Sequence, residues 1–225
     1  MRKAPIRHEL AESMPDNYSR KLMRSNINVQ LGKTATVQEI SESKPDAIIC
    51  ATGSRPYTPA FEGIDDPRII MSDDLFSSTN KVGENVLVFE FDCDWPSMVA
   101  AIYLAEKGHQ LTLISSRLHI GETVHQYLRN ECLKKLYNLN VHSFPHYDIG
   151  TIKENHVVIR NLFTQQKQEL TNWDSIFLSL GRIPNTELFE EMKGHARIVK
   201  QIRDCLGPRT IEEATHDGMM GVISL

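Results

Sequence analysis

The sequence predicts an α/β protein built on parallel sheets, and three observations carry that prediction. The runs VLVF (Val86–Phe89) and LTLIS (Leu111–Ser115) are short apolar strands separated by a helix of crossover length. A further buried strand spans Ala47–Ala51 and leaves through Thr52-Gly53, where glycine permits close backbone approach. That exit recurs: AIICATGSRPYTPAF and SIFLSLGRIPNTELF each read as apolar strand, small polar residue, Gly, basic residue and Pro, about 130 residues apart.

Each element has its own signal. SMVAAIYLAEKG places Met98, Ala101, Ile102 and Ala105 on one helical face, with Gly108 positioned to end the helix. A helix there makes the flanking strands parallel and the crossover right-handed. Upstream, Arg7–Arg24 reads as a helix interrupted by Pro15, followed by a short strand INVQLGK and a helical turn in VQEISESK. Downstream come an amphipathic helix HQYLRNECLKKLYNLN, a strand VHSF, hairpin strands HVVIRNLF and KQELTNW, the buried strand SIFLSLG and a final helix RTIEEATHDGMMG.

Composition excludes several classes. The 225 residues, 40% apolar with net charge −4, describe a globular chain able to bury one large or two small cores. No apolar run approaches the roughly 20 residues of a membrane span, and MRKAPIRHELAESM lacks the apolar stretch of a secretory signal, so a cytoplasmic protein is expected. Cys50, Cys93, Cys132 and Cys205 form no C-x-x-C pair, so neither a zinc ribbon nor an iron–sulfur ligand set is legible and reduced thiols are expected. Scattered Lys and Arg supply no footprint for nucleic acid.

Histidines do not assemble a metal site either. His142 and His146 stand four apart, but VHSFPHYD contains Pro145 and reads as extended, so they do not share a helix face. His119 and His125 flank a helix start at GETVHQ, where a Thr or Gly cap is expected, and His216-Asp217 reads as packing and capping. No Ser-His-Asp order or paired carboxylate cluster marks a catalytic residue.

Four signposts in order carry a resemblance: DAIICATGSRP, the unit from VLVF to LTLIS, LSLGRIPNTEL, and RDCLGPRTIEEATHDG. Together they resemble the C-terminal region of flavoenzymes that join an FMN-bearing barrel to a reductase-like tail. These are the trimethylamine, dimethylamine and histamine dehydrogenases and 2,4-dienoyl-CoA reductase, within the pyridine-nucleotide reductase superfamily. The resemblance implies two Rossmann-like, dinucleotide-binding-type lobes. One is a truncated FAD/ADP-type lobe over residues 1–75 plus 190–225; the other is an NAD(P)-type lobe over 82–188. It further implies that the chain opens after the family's first βαβ unit, so that the FMN barrel and the first FAD-binding unit are expected on another subunit.

Site residues follow from the matching positions. Thr52 and Gly53 end a strand at a carboxyl edge, where open α/β sheets bind ligands, and the family uses this turn beside the adenine dinucleotide. Asp204 matches the family aspartate that meets the flavin ribitol, and Arg203 stands where a glycine usually precedes it and could pair with a phosphate. In the second lobe, Glu90, Asp92 and Trp95 stand where a nucleotide fingerprint has three glycines. Two carboxylates there would repel phosphates, which argues against NAD(P); the resemblance is then to the amine-dehydrogenase branch, which is similar in having acidic and aromatic residues at this turn, rather than to the reductase branch, which keeps its glycines. Ser115 stands where a ribose-reading acid is expected, and Arg117 is a weak signal for a 2′-phosphate reader against the reading of an ordinary surface arginine.

The expectation is an oxidoreductase-family flavoprotein segment that binds FAD or ADP weakly or together with a partner, catalytically incomplete by itself. The alternative is a non-catalytic structural or interaction module, or a truncated gene product, with degenerate nucleotide sites. Loss of a central strand would expose apolar surface and backbone edges, so a partner subunit or a homodimer is expected.

Overall fold

A computed structural model describes residues 8–76, 82–92, 94–154 and 156–223. The chain divides into two compact units, one of Met1–Arg24 with Thr58–Gly181 and the other of Ser25–Tyr57 with Arg182–Leu225. The lobes expected from sequence change over near 75–82 and 188–190, whereas the compact units change over at 57–58 and 181–182, and Met1–Arg24 groups with the larger unit. The expected helix start at Arg7 and the thiol of Cys93 lie outside the described residues.

Helix α1 (His8–Met23) runs through Pro15 without the expected break. The segment INVQLGK, expected as a strand, joins no sheet among the described residues. It has the alternating apolar pattern of a strand but no neighbour supplies a ladder. Helix α2 (Val37–Glu42) starts at a capping box: the Thr36 hydroxyl accepts the Glu39 N–H at 3.3 Å. Strand β1 (Ala47–Cys50) follows, then two three-residue strands, β2 (Ser54–Pro56) and β3 (Ile69–Met71).

The crossover forms as expected, with β4 (Asn85–Glu90), α3 (Trp95–Glu106) and β5 (Gln110–Ser115) in sequence. Asp94 caps α3 by accepting the Trp95 N–H at 2.8 Å, and Pro96 occupies the first turn, where its missing N–H costs nothing. Helix α4 (Gln126–Asn138) begins at His125 without a side-chain cap bond, rather than with the expected Thr or Gly cap. Next come β6 (His142–Pro145), β7 (Tyr147–Ile152), β8 (Val157–Asn161), β9 (Lys167–Leu170) and β10 (Ser175–Ser179). The chain closes with β11 (Arg182–Pro184), α5 (Glu187–Met192), β12 (Ile198–Gln201), a 3-10 turn at Arg203–Cys205 and α6 (Ile211–Ile223).

The larger unit holds a five-stranded, wholly parallel sheet in the order β3-β10-β4-β5-β6. Both faces are covered, as a parallel sheet requires, so the inner strands β4 and β10 are buried almost continuously rather than alternately, whereas the edge strand β6 is half-exposed. One face packs Val86, Val88, Leu111 and Leu113 against Met98, Ala101 and Ile102 of α3 and Leu136 of α4. The other packs Leu87, Phe89, Ile114, Ile176 and Leu178 against Ile152, Val157 and Ile159 of a three-stranded antiparallel sheet, β7-β8-β9. Arg68 clamps the edge of this core. Its guanidinium lies 3.9 Å from the centre of the Trp173 ring while Asp66 accepts from it at 2.7 Å.

The smaller unit is built on a parallel pair, with β1 beside β12 from Ala47↔Ile198 to Cys50↔Gln201. Ile48, Cys50, Met192 and Cys205 form its core, flanked by Val37 and Ile40 of α2 and Leu188 and Phe189 of α5. Beside them β2 and β11 pair antiparallel, Ser54 facing Pro184 and Pro56 facing Arg182. The two echoing exits of the sequence therefore pair with each other. No helix among the described residues is long and apolar enough to cross a membrane, and none of those residues group as three or more potential metal ligands.

Candidate functional site

The carboxyl ends of β1 and β12 bring Thr52, Gly53, Arg203 and Asp204 together. Parallel strands expose these ends on one edge, and the backbone closes them: the Ile202 N–H donates to the Cys50 carbonyl at 3.0 Å. The Thr52 hydroxyl donates to the Asn185 carbonyl at 2.6 Å and lies 3.1 Å from Cys205 Sγ. Cys205 in turn donates to the same carbonyl at 3.2 Å. Thr52 thus serves the local framework with its side chain, and Asn185 also holds the turn by donating its side-chain amide to the Thr52 carbonyl at 3.2 Å and its N–H to the Gly53 carbonyl at 3.0 Å.

Gly53 adopts φ +75°, the left-handed region that favours glycine, and a Cβ built there would meet no heavy atom within 4 Å. The space beside this turn is open, as a close-approaching ligand would need. Asp204 Oδ2 accepts from the Ser54 hydroxyl at 3.3 Å, and Ser54 Oγ accepts from Arg182 Nε at 2.8 Å. Arg182 Nη2 also donates to the Ser54 carbonyl at 2.8 Å. An arginine, a serine and an aspartate are thereby strung across the rim in one relay.

Arg203 itself is exposed and adopts φ +59°, so the glycine-like backbone persists although a bulky residue occupies it. Its carbonyl accepts from Leu206 and Gly207 at 2.8 and 3.0 Å, which holds the turn in place. Beneath lie the buried thiols Cys50 and Cys205, and burial, with Cys205 nearby, pushes the Cys50 thiol upward. Sequence reasoning missed Ser54, Arg182, Asn185 and Cys205. The repeated strand exit was the signal available for the first three, because Ser54, Arg182 and Asn185 all lie within the two echoing segments.

The nucleotide-type turn of the larger unit is closed from within. Glu90 is fully buried at the end of β4. Its carboxylate accepts from the Gly121 N–H at 2.8 Å, from Ser97 Oγ at 2.9 Å and from the Ser115 hydroxyl. Burial raises its pKa, and these three donors together offset part of that rise. Asp92 also turns to the protein, its Oδ2 accepting from Ser179 Oγ at 2.6 Å. The sequence reading expected these carboxylates to repel a pyrophosphate; the structure shows Glu90 filling the turn and bonding to it. Ser115 is a partner of Glu90, and its oxygen also accepts the Arg117 N–H at 3.2 Å.

A fold of this kind has recognisable relatives. The sequence profile of the pyridine nucleotide-disulphide oxidoreductase family matches residues 2–199. N,N-dimethylglycine/sarcosine dehydrogenase of Chromohalobacter salexigens is 25% identical over 210 residues, covering 89% of this chain and 30% of its own length. A 2-naphthoyl-CoA reductase complex superimposes with a TM-score of 0.84 at 26% identity, over 96% of this chain and 32% of that one. Histamine dehydrogenase from Rhizobium sp. 4-9 shares the fold with a TM-score of 0.85 at 18% identity, over 100% of this chain and 37% of that one. The chain thus spans between 30% and 37% of the length of these relatives. By that match over most of its length, with a Rossmann-like parallel sheet beneath it, the chain belongs to the pyridine nucleotide-disulphide oxidoreductase family.

Proposed function

We propose that this chain is a flavoprotein segment akin to the amine dehydrogenases that holds an adenine dinucleotide or ADP at the rim formed by Thr52, Gly53, Arg203 and Asp204. The observation that carries this reading is the open space at Gly53, where an added Cβ meets nothing within 4 Å, beside Asp204 on the carboxyl edge of a parallel pair. Gly53 would let the backbone approach a pyrophosphate or ribose, Asp204 would accept from a ribitol or ribose hydroxyl, and Arg203 would face a phosphate. FAD, when bound, would supply electron transfer; the residues on this rim bind and orient, and none is assigned a catalytic role. NAD(P) fits poorly in the other unit, because the turn that would cradle it holds Glu90.

Binding would be weak or shared with a partner. Among the described residues β1 is paired on one side only, by β12, and Ile27, Val29 and Leu31 stand exposed at 61%, 48% and 90%. An open strand edge and a run of exposed alternating apolar residues are each surfaces that a partner covers. A subunit bearing an FMN barrel and a first FAD-binding unit, or a second copy of the chain, would meet that need. The filled turn at Glu90 favours the second reading, a non-catalytic structural module. The visible spectrum of the purified chain reconstituted with FAD separates the two. A bound, shifted flavin spectrum supports the flavoprotein reading, whereas free flavin with the protein folded by circular dichroism leaves the structural module.

A further inference from the structure

We propose that the outer face of the β7-β8-β9 sheet binds a small anion bearing a phosphate or pyrophosphate group. Its register places Arg160 directly opposite Lys167 on one side and Asp148 on the other. Like charges directly opposite one another in an antiparallel pair are destabilising, so an acidic residue at 167 would suit the sheet better. Asp148 lies 3.7 Å from Arg160, enough to balance one of the two cations. Lys153 and His156 close the end of the same concavity, and Lys153 donates its N–H to the His156 carbonyl at 2.9 Å. Against these stands Glu169, one row away opposite Val158.

The face is also concave. The ladder shifts register between Ile149 and Thr151, and bulges of this kind bend a strand and re-aim its side chains. Gly150 sits at the bulge, where a Cβ would come within 3.0 Å of the Val158 carbonyl, so the close strand approach depends on glycine. The resulting hollow, lined in part by Val158 and open to solvent, measures about 600 Å³, within the range of small-molecule sites. A chain of net charge −4 thus gathers Lys153, Arg160 and Lys167 around one hollow. Phosphate suits both partners, taking the planar fork of arginine and the point charge of lysine. All these residues lie in the larger unit, and none of them belongs to the rim at Gly53.

Calorimetric titration of the whole chain with inorganic pyrophosphate at low ionic strength tests this. Saturable binding is expected, weakened about fivefold by Arg160→Gln or Lys167→Gln and suppressed by added salt. Lys167→Glu, which faces Arg160 with a carboxylate, is expected to abolish binding while raising the urea midpoint; if that variant misfolds, Lys167→Gln carries the test. Absence of binding in the wild-type chain, or binding unchanged by both Lys167 variants, would overturn the proposal. So would loss in Arg203→Ala together with retention in Lys167→Gln, which would move the anion to the other unit.

Discussion

Glu90 and Gly121 are joined across the nucleotide-type turn, the buried carboxylate accepting the Gly121 N–H at 2.8 Å. That bond ties the end of β4 to the loop after β5, and it makes Glu90 a structural residue at the end of the first strand of a strand–helix–strand unit, where a dinucleotide-binding turn uses glycine to admit a phosphate. Its pKa is raised chiefly by burial, so the folded state holds the proton more tightly than the unfolded chain does. The stability linked to Glu90 is therefore fully present below the unfolded pKa and is lost as pH rises through the folded one. Urea denaturation of wild type and Glu90→Gln across that range is expected to show the wild type losing ground to the variant as pH increases. Glu90→Ala, which strands the Gly121 N–H, is expected to cost about 1–3 kcal/mol.

Asp66 has the opposite sign. Hydrogen bonding to Arg68 holds its carboxyl below the usual carboxylate range. Its contribution is present above the unfolded pKa and is lost as pH falls through the folded one. Asp66→Asn is expected to lose less stability than wild type on acidification over that window. Release of Arg68 from the Trp173 ring should also change tryptophan emission.

Arg203 occupies a left-handed backbone conformation at φ +59°. Glycine adopts that conformation without the Cβ clash, at some entropic cost in the unfolded chain, so Arg203→Gly is expected to raise stability by about 0.5–1 kcal/mol. The urea midpoint at constant slope checks it. If a phosphate contacts the guanidinium, the same variant weakens nucleotide binding as it stabilises the fold.

Ile27, Val29 and Leu31 expose alternating apolar side chains. Without a covering partner the chain is expected to self-associate as its concentration rises, and Val29→Lys is expected to shift sedimentation toward the monomer without lowering the melting temperature. Unchanged association in that variant would place the sticky surface elsewhere, α6 with its exposed Met219, Val222 and Ile223 being the next to test.

The crossover from β4 to β5 was legible because VLVF and LTLIS are buried on both faces and α3 is apolar over most of its surface, with Met98, Ala100, Ala101, Ile102, Leu104 and Ala105 all in the core. By contrast, β7 escaped notice because YDIGTI lacks clean alternation and carries its bulge at Gly150. The three-residue strands β2, β3 and β11 owe their existence to pairing across distant sequence, which no local pattern encodes. INVQLGK shows the reverse: a strand pattern is necessary but a ladder also needs a neighbour. At the candidate site, Thr52 and Gly53 were proposed from the end of their strand, and Asp204 from the resemblance alone. The inward turn of Glu90 was not, because residue identity at a fingerprint position says nothing about whether Ser97, Ser115 and Gly121 are there to receive the carboxylate.

The most direct test is a calorimetric titration of the purified chain with ADP and with NADH, repeated on Gly53→Val and Asp204→Asn. Saturable ADP binding that both substitutions weaken by tenfold or more, roughly 1.4 kcal/mol, with weaker or no response to NADH, is the expected result. No ADP binding by the folded wild-type chain, or binding indifferent to both substitutions, would contradict a nucleotide rim at Gly53 and leave the chain as a structural module of its family.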